Sequence, residues 1–147
     1  MLYSAEMGVE SELLLGSVDQ AGAMANAVDA AKEFDGIRIK GIDPVKLGTL
    51  YGKVLEKPSS SMKMSPIAMA SDEGPWVMRV PDTFVEALAK LPAAERKKIA
   101  AWWAKTEEFK ADRRWEAPAV ASTLDAICAL CEKAIADTKK AFLWMSL

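Results

Sequence analysis

Hydrophobic and polar positions alternate along this 147-residue chain with two different periods, and the changes of period mark the elements. Glu10 to Ser17 is a short apolar run centred on Leu13-Leu14-Leu15; it fits a buried strand, and a helical turn nearly as well. From Asp19 to Phe34, alanines with Met24, Val28 and Ala31 at helical spacing predict a helix that Asp35-Gly36 ends as a turn. Ile37 to Lys40 alternates apolar with basic residues, the pattern of a half-buried strand. Asp43-Pro44 is a helix start, because the aspartate caps free amides and proline is pre-set for the first turn. The helix it opens runs to about Glu56.

Pro58 to Pro75, with three prolines, five serines and three methionines, keeps no period and is the longest irregular segment. Connections of more than about 12–15 residues are uncommon in compact domains unless functional or mobile, so this one is a candidate lid or contact arm. Trp76 to Val80 reads as a strand with Trp76, Met78 and Val80 on one face and Val77 and Arg79 on the other. Asp82 is expected to cap a helix whose stripe is Phe84, Val85, Leu88 and Leu91. Pro92 begins another, carrying Ile99, Trp103 and Thr106 on one side with Trp102 and Phe109 beside them. Pro118 opens a last long helix with Val120, Leu124, Ile127, Cys131 and Ile135 at core spacing, and Ala141 to Ser146 closes the chain as a strand.

This order of about five helices and three or four short strands predicts a single domain over residues 1–147, of the α+β class: a small, mainly antiparallel sheet covered by helices. An all-helical fold is the alternative. The length suffices to bury roughly two-thirds of the unfolded-chain surface without disulfide or metal.

Composition adds little until charge is counted by segment. Residues 1–36 hold seven acids and one lysine, a net −6, whereas residues 90–115 hold eight bases and four acids, a net +4. Patches of opposite sign steer encounters with charged partners, or face each other inside the fold. No apolar run approaches the roughly 18 residues that cross a bilayer, so no membrane partner is expected. The Leu13-Leu14-Leu15 run is short for a signal peptide and follows acidic residues. Two cysteines in a chain of this size agree with a reducing compartment, and the expected location is the cytoplasm.

The chain has no histidine, no glycine-rich phosphate loop and no nucleophile elbow, so any catalysis would run on Asp, Glu, Lys, Tyr or Cys. Cys128 and Cys131 have the CxxC spacing of redox and zinc sites, yet they fall in mid-helix with no second pair, which favours core packing. Met62, Met64 and Met69 resemble soft-metal ligands but are equally adaptable filler at a surface. Glu107 and Glu108, near Asp112 and interleaved with Lys105 and Lys110, read as a solvated helix face. No catalytic residue, cofactor or metal site is expected.

Adjacent Trp102 and Trp103 lie about 100° apart on a helix and cannot both face one apolar stripe. With Arg96, Lys97 and Lys98 upstream and Arg113, Arg114 and Trp115 downstream, Trp102 belongs to a candidate aromatic-basic contact surface. The plainer reading packs both indoles between helices.

Met7-Gly8-Val9, the Lys32-Glu33-Phe34-Asp35-Gly36-Ile37 segment and the closing apolar strand resemble the layout of an uncharacterised bacterial domain-of-unknown-function family of similar length. That family carries Trp-Asp-Gly followed by a histidine in its central segment; here Phe34 takes the place of the tryptophan and no histidine follows. The resemblance implies a bacterial α+β domain and supplies no activity, substrate or catalytic residue.

The expectation that follows is a small bacterial cytoplasmic binding protein acting through contact with another protein or itself, in the manner of an inhibitor or immunity protein. The alternative is an enzyme or small-ligand binder with a pocket near Trp76, Arg79, Met62 and Met64. Nucleic-acid binding is the weaker reading, because the whole chain is acidic.

Overall fold

The computed structural model describes residues 10–112 and 115–147. Five strands, β1 (Glu10–Gly16), β2 (Ile37–Arg38), β3 (Pro66–Met69), β4 (Trp76–Arg79) and β5 (Lys140–Ser146), form one antiparallel sheet in the order β2-β1-β5-β4-β3. Around it lie α1 (Ala21–Ala25), α2 (Ala30–Glu33), α3 (Pro44–Leu55), α4 (Asp82–Ala89), α5 (Ala93–Ala104), α6 (Glu107–Lys110) and α7 (Ala117–Ala136). The fold is α+β, as the segment order predicts.

Strands from the two ends of the chain make the centre of the sheet. β1 and β5 pair from Glu10↔Ser146 to Gly16↔Lys140. Their facing stretches Leu13–Leu15 and Ala141–Leu143 are apolar at every position because both faces are buried there and successive side chains point opposite ways. Leu13, Leu15, Met78, Ala141 and Leu143 enter the main core with α3, α4, α5 and α7, whereas Leu14, Val77 and Phe142 enter a smaller cluster under α1 and α2.

The helix expected from Asp19 to Phe34 is broken. A 3-10 turn at Val18–Gln20 precedes α1, and Val28 between α1 and α2 is fully exposed. Two side chains compete for the backbone at the break. Asn26 Nδ2 donates to the Gly22 carbonyl at 2.9 Å, and Glu33 accepts the Asp29 N–H at 2.8 Å. The Asp35-Gly36 turn is present: Asp35 is left-handed at φ 56°, and a side chain on Gly36 would collide with the Leu13 carbonyl.

α3 begins as its sequence requires, with Pro44 in the first turn and Asp43 accepting the Lys46 N–H at 2.9 Å. Asp82 departs from expectation. It is the first residue of α4 after Pro81, and its carboxylate caps no amide; it receives Arg79 at 2.9 Å and Lys140 at 3.2 Å. The segment after Pro58 is less irregular than expected, since it contains a 3-10 turn (Ser59–Ser61) and the edge strand β3. Pro66 is admissible at the start of an edge strand, where no ladder N–H is required of it. Met62 and Met64 pack against the main core, so this stretch is not a free arm.

The helix after Pro92 ends at Ala104, and the Thr106 hydroxyl turns back to the Trp103 carbonyl at 2.6 Å as α6 begins, which puts Phe109 on a separate helix. In α7 the buried line runs Val120, Leu124, Ile127, Cys131 and Ala134; Ile135 is half exposed, because a helix of 3.6 residues per turn carries the stripe to position 134. No helix among the described residues is long and apolar enough to cross a membrane.

Candidate contact surface

α5 separates its two tryptophans. Trp103 is fully buried; its Nε1 donates to the Lys46 carbonyl at 3.0 Å and its ring meets Phe109 edge-on at a centroid distance of 4.9 Å. Trp102, one residue earlier and about 100° round the helix, stays 36% exposed, with Lys53 Nζ of α3 5.0 Å from the ring centroid. Lys98 and Lys105, four residues before and three after, are exposed on the same side of α5. An exposed indole with the Lys53 ammonium against its ring is the centre of this surface.

The structure distributes the other candidate contact residues unequally. Lys97 is exposed, and Lys98 reaches Glu95 at 3.8 Å. Arg96 is turned the other way: it donates to the Leu91 carbonyl at 2.9 Å and to Glu132 of α7 at 2.7 Å, and so joins helices rather than facing solvent. Trp115 is half-buried, edge-on to Phe109 at 5.3 Å, and packs on the main core. Arg113 and Arg114 lie outside the described residues.

Beside Trp102 a cleft of about 440 Å³ opens between the end of α3 and α5. Ile99 and Leu91 line it, with Lys53, Glu56 and Glu95 at its polar margin. Lys53 therefore belongs both to the cleft and to the Trp102 ring. A second cleft, about 390 Å³, lies between the Asp35–Ile37 turn and α7, where Lys133 meets Asp35 at 2.7 Å.

Beneath the α5 surface is a buried ion pair that the pattern of the sequence does not announce. Lys46 Nζ sits 3.4 Å from Asp112 Oδ2, donates to the Gly41 carbonyl at 2.7 Å, and lies 5.4 Å from the Phe109 ring centroid. Both side chains are about 4% exposed. Asp112 is thus not part of the solvated face that Glu107 and Glu108 occupy; it pins the stretch after α6 to α3. Charges taken out of water cost several kcal/mol each unless matched, and here each is held against its counterpart.

The alternative ligand residues do not converge. Trp76 is on the face of the sheet that carries Met78 and the main core, where Met62 and Met64 also pack, whereas Arg79 alternates to the opposite face and is engaged with Asp82. Cys128 and Cys131 are buried, and burial pushes their thiols up to about 11 and about 12, away from the reactive thiolate. No cluster of three or more potential metal ligands occurs among the described residues.

Among the described residues, the ion pairs of the acidic start do not reach the basic 90–115 segment. Glu12 and Asp29 meet Arg38, Glu10 meets Lys40, and Asp35 meets Lys133 and Lys139. Glu12 is nearly buried, accepting the Ala31 N–H at 2.8 Å. Burial raises its carboxyl above the ordinary glutamate value, and the Ala31 hydrogen bond and Arg38 charge offset only part of that. Compared with known proteins, the chain matches no family model, no curated protein and no solved structure. The likeness read from residues 7–9 and 32–37 thus assigns it to no family.

Proposed function

We propose that the protein works by protein–protein contact, with the exposed side of α5 around Trp102 as its contact surface and an inhibitor or immunity role in the bacterial cytoplasm as its biological setting. One observation carries this reading. Of two adjacent tryptophans, one is spent entirely on the core and the other is kept at the surface against the Lys53 ammonium, with exposed Lys98 and Lys105 four residues before and three after it in the chain. Tryptophan is the residue type most enriched among interface residues that dominate binding energy, and lysine heads around it favour an acidic partner.

The test is capture from native bacterial lysate at moderate salt on immobilised wild-type protein and on a Trp102→Ala variant whose folding is verified by circular dichroism. A specific protein retained by the wild type and reduced roughly tenfold or more on the variant is the expected result. Self-association alone, or equal retention by both baits, overturns the proposal.

A further inference from the structure

We infer that the open edge of β3 pairs antiparallel with β3 of a second copy of this chain, about a two-fold axis at Ala68, to make one sheet through two molecules. The inference stands on a different part of the molecule from the α5 surface. β3 is last in the sheet order, with β4 on one side and no further strand on the other among the described residues. Ala70 turns its N–H to β4, where it donates to the Pro75 carbonyl at 3.0 Å. Main-chain groups alternate in direction along a strand, so Met69 and, two positions back, Ile67 turn theirs to the open edge. An edge of this kind is a template for another strand. Pro66 and the register shift beside it end the regular ladder at Ile67, so the pairing is short.

What identifies the second strand is that one register satisfies both its apolar and its charged side chains. Ile67 and Met69 are 46% and 48% exposed. With the axis at Ala68, Ile67 of each copy lies opposite Met69 of the other, an apolar cross-strand pair made twice. Lys63, five residues before the axis, then lies opposite Glu73, five residues after it, with Asp72 alongside. Lys63 is exposed, while Met62 and Met64 on either side of it pack on the main core. Asp72 and Glu73 sit in the turn after β3, which is held by the Gly74 N–H on the Ser71 carbonyl at 3.0 Å and by the Ser71 hydroxyl on the Gly74 carbonyl at 2.9 Å. All three charges are exposed, and none forms an ion pair among the described residues. A strand that is basic before and acidic after complements itself only when the second copy runs antiparallel; a parallel copy in register would set like charges side by side. The net charge of −2 per chain adds little repulsion between copies. A ladder this short is small against the roughly 800 Å² per partner of a standard interface, so the dimer belongs at high micromolar concentration.

The experiment is sedimentation equilibrium of the full-length protein from about 10 μM to about 1 mM, at low and high salt. The wild type is expected to move toward twice the monomer mass, less so in high salt. Met69→Lys is expected to stay monomeric, and Lys63→Glu or Glu73→Lys alone to weaken association roughly fivefold or more. All three positions are on the surface. An equimolar mixture of Lys63→Glu with Glu73→Lys restores opposite charges at both ends of the ladder, and its association is expected to recover. A wild type that stays monomeric at about 1 mM, association indifferent to Met69→Lys, or a mixture no tighter than either variant alone overturns the inference. Trp102→Ala is expected to dimerise as the wild type does, and loss of the dimer in that variant would place self-association on α5 and equally overturn it.

Discussion

The indole N–H of Trp103 donates to the main-chain carbonyl of Lys46 at 3.0 Å, a buried hydrogen bond that fastens α5 to α3. The same residue, Lys46, reaches from its side chain to Asp112, so the backbone and side chain of one position hold two different parts of the α5–α6 region. The helix that carries Trp102 is thereby tied to α3.

Truncation of the two neighbouring tryptophans is expected to give different costs. Trp103→Ala opens a large cavity and removes the hydrogen bond to the Lys46 carbonyl, for a loss of about 3–5 kcal/mol. Trp102→Ala removes a half-exposed ring and one cation–π contact, and should cost below about 2 kcal/mol. Urea unfolding of both variants measures the difference, and equal large losses would show that both indoles belong to the core.

Asp112→Asn leaves the Lys46 ammonium buried without its countercharge and is expected to destabilise by about 3–5 kcal/mol. Adding Lys46→Met removes the stranded charge, so the double variant should lose less than the two single variants sum to. A double-mutant cycle by denaturant unfolding reads this coupling directly; strict additivity would mean that the pair does not interact.

Glu12 and Asp82 give opposite pH dependences. Burial raises the Glu12 carboxyl, so the folded state holds that proton more tightly than the unfolded chain; stability from this site is present below the ordinary glutamate value and falls as pH rises through the raised one. Burial acts on Asp82 in the same sense, but hydrogen bonds from Lys140 and Arg79 outweigh it and leave its carboxyl low. Its contribution is present above the ordinary aspartate value and is lost as pH falls toward the lowered one. Stability measured against pH should therefore improve relative to wild type for Glu12→Gln as pH rises from acid to neutral, and worsen for Asp82→Asn over the same range. A parallel displacement of both curves would contradict the assignment.

Cys128 and Cys131 should react slowly with a thiol reagent at neutral pH in the folded protein and completely once it is unfolded, because both thiols are buried and held up at about 11 and about 12. Timed labelling in buffer and in urea tests this. Fast stoichiometric labelling of the native protein would place at least one of them in an accessible, activated setting.

The sequence pattern is most informative where one physical signal dominates. Asp43-Pro44 and the Phe84–Leu88 stripe each state their element, and helical geometry alone shows that Trp102 and Trp103 cannot both face one apolar stripe. It is least informative where tertiary pairing decides. β3 is four residues on an edge, of which only Ala68 is even partly buried, too little for a period to register, and its pairing with β4 is irregular between Pro66 and Ala68. The break at Val28 depends on local hydrogen bonds from Asn26 and Glu33 that compete with an otherwise helical run of alanines. Lys46 and Asp112 lie 66 residues apart, and nothing in either segment marks a buried charge. Arg96 reads as a surface base within a basic run, and only the approach of α7 turns it toward Glu132.

The central claim is that Trp102 is kept at the surface for a partner. Its most direct test is the affinity of the captured partner for wild-type and Trp102→Ala protein, measured by calorimetry on samples with matched folded fractions. The account predicts a loss of about 2 kcal/mol or more, close to thirtyfold in Kd, with little change in the unfolding midpoint. An unchanged Kd in a fully folded variant would contradict it.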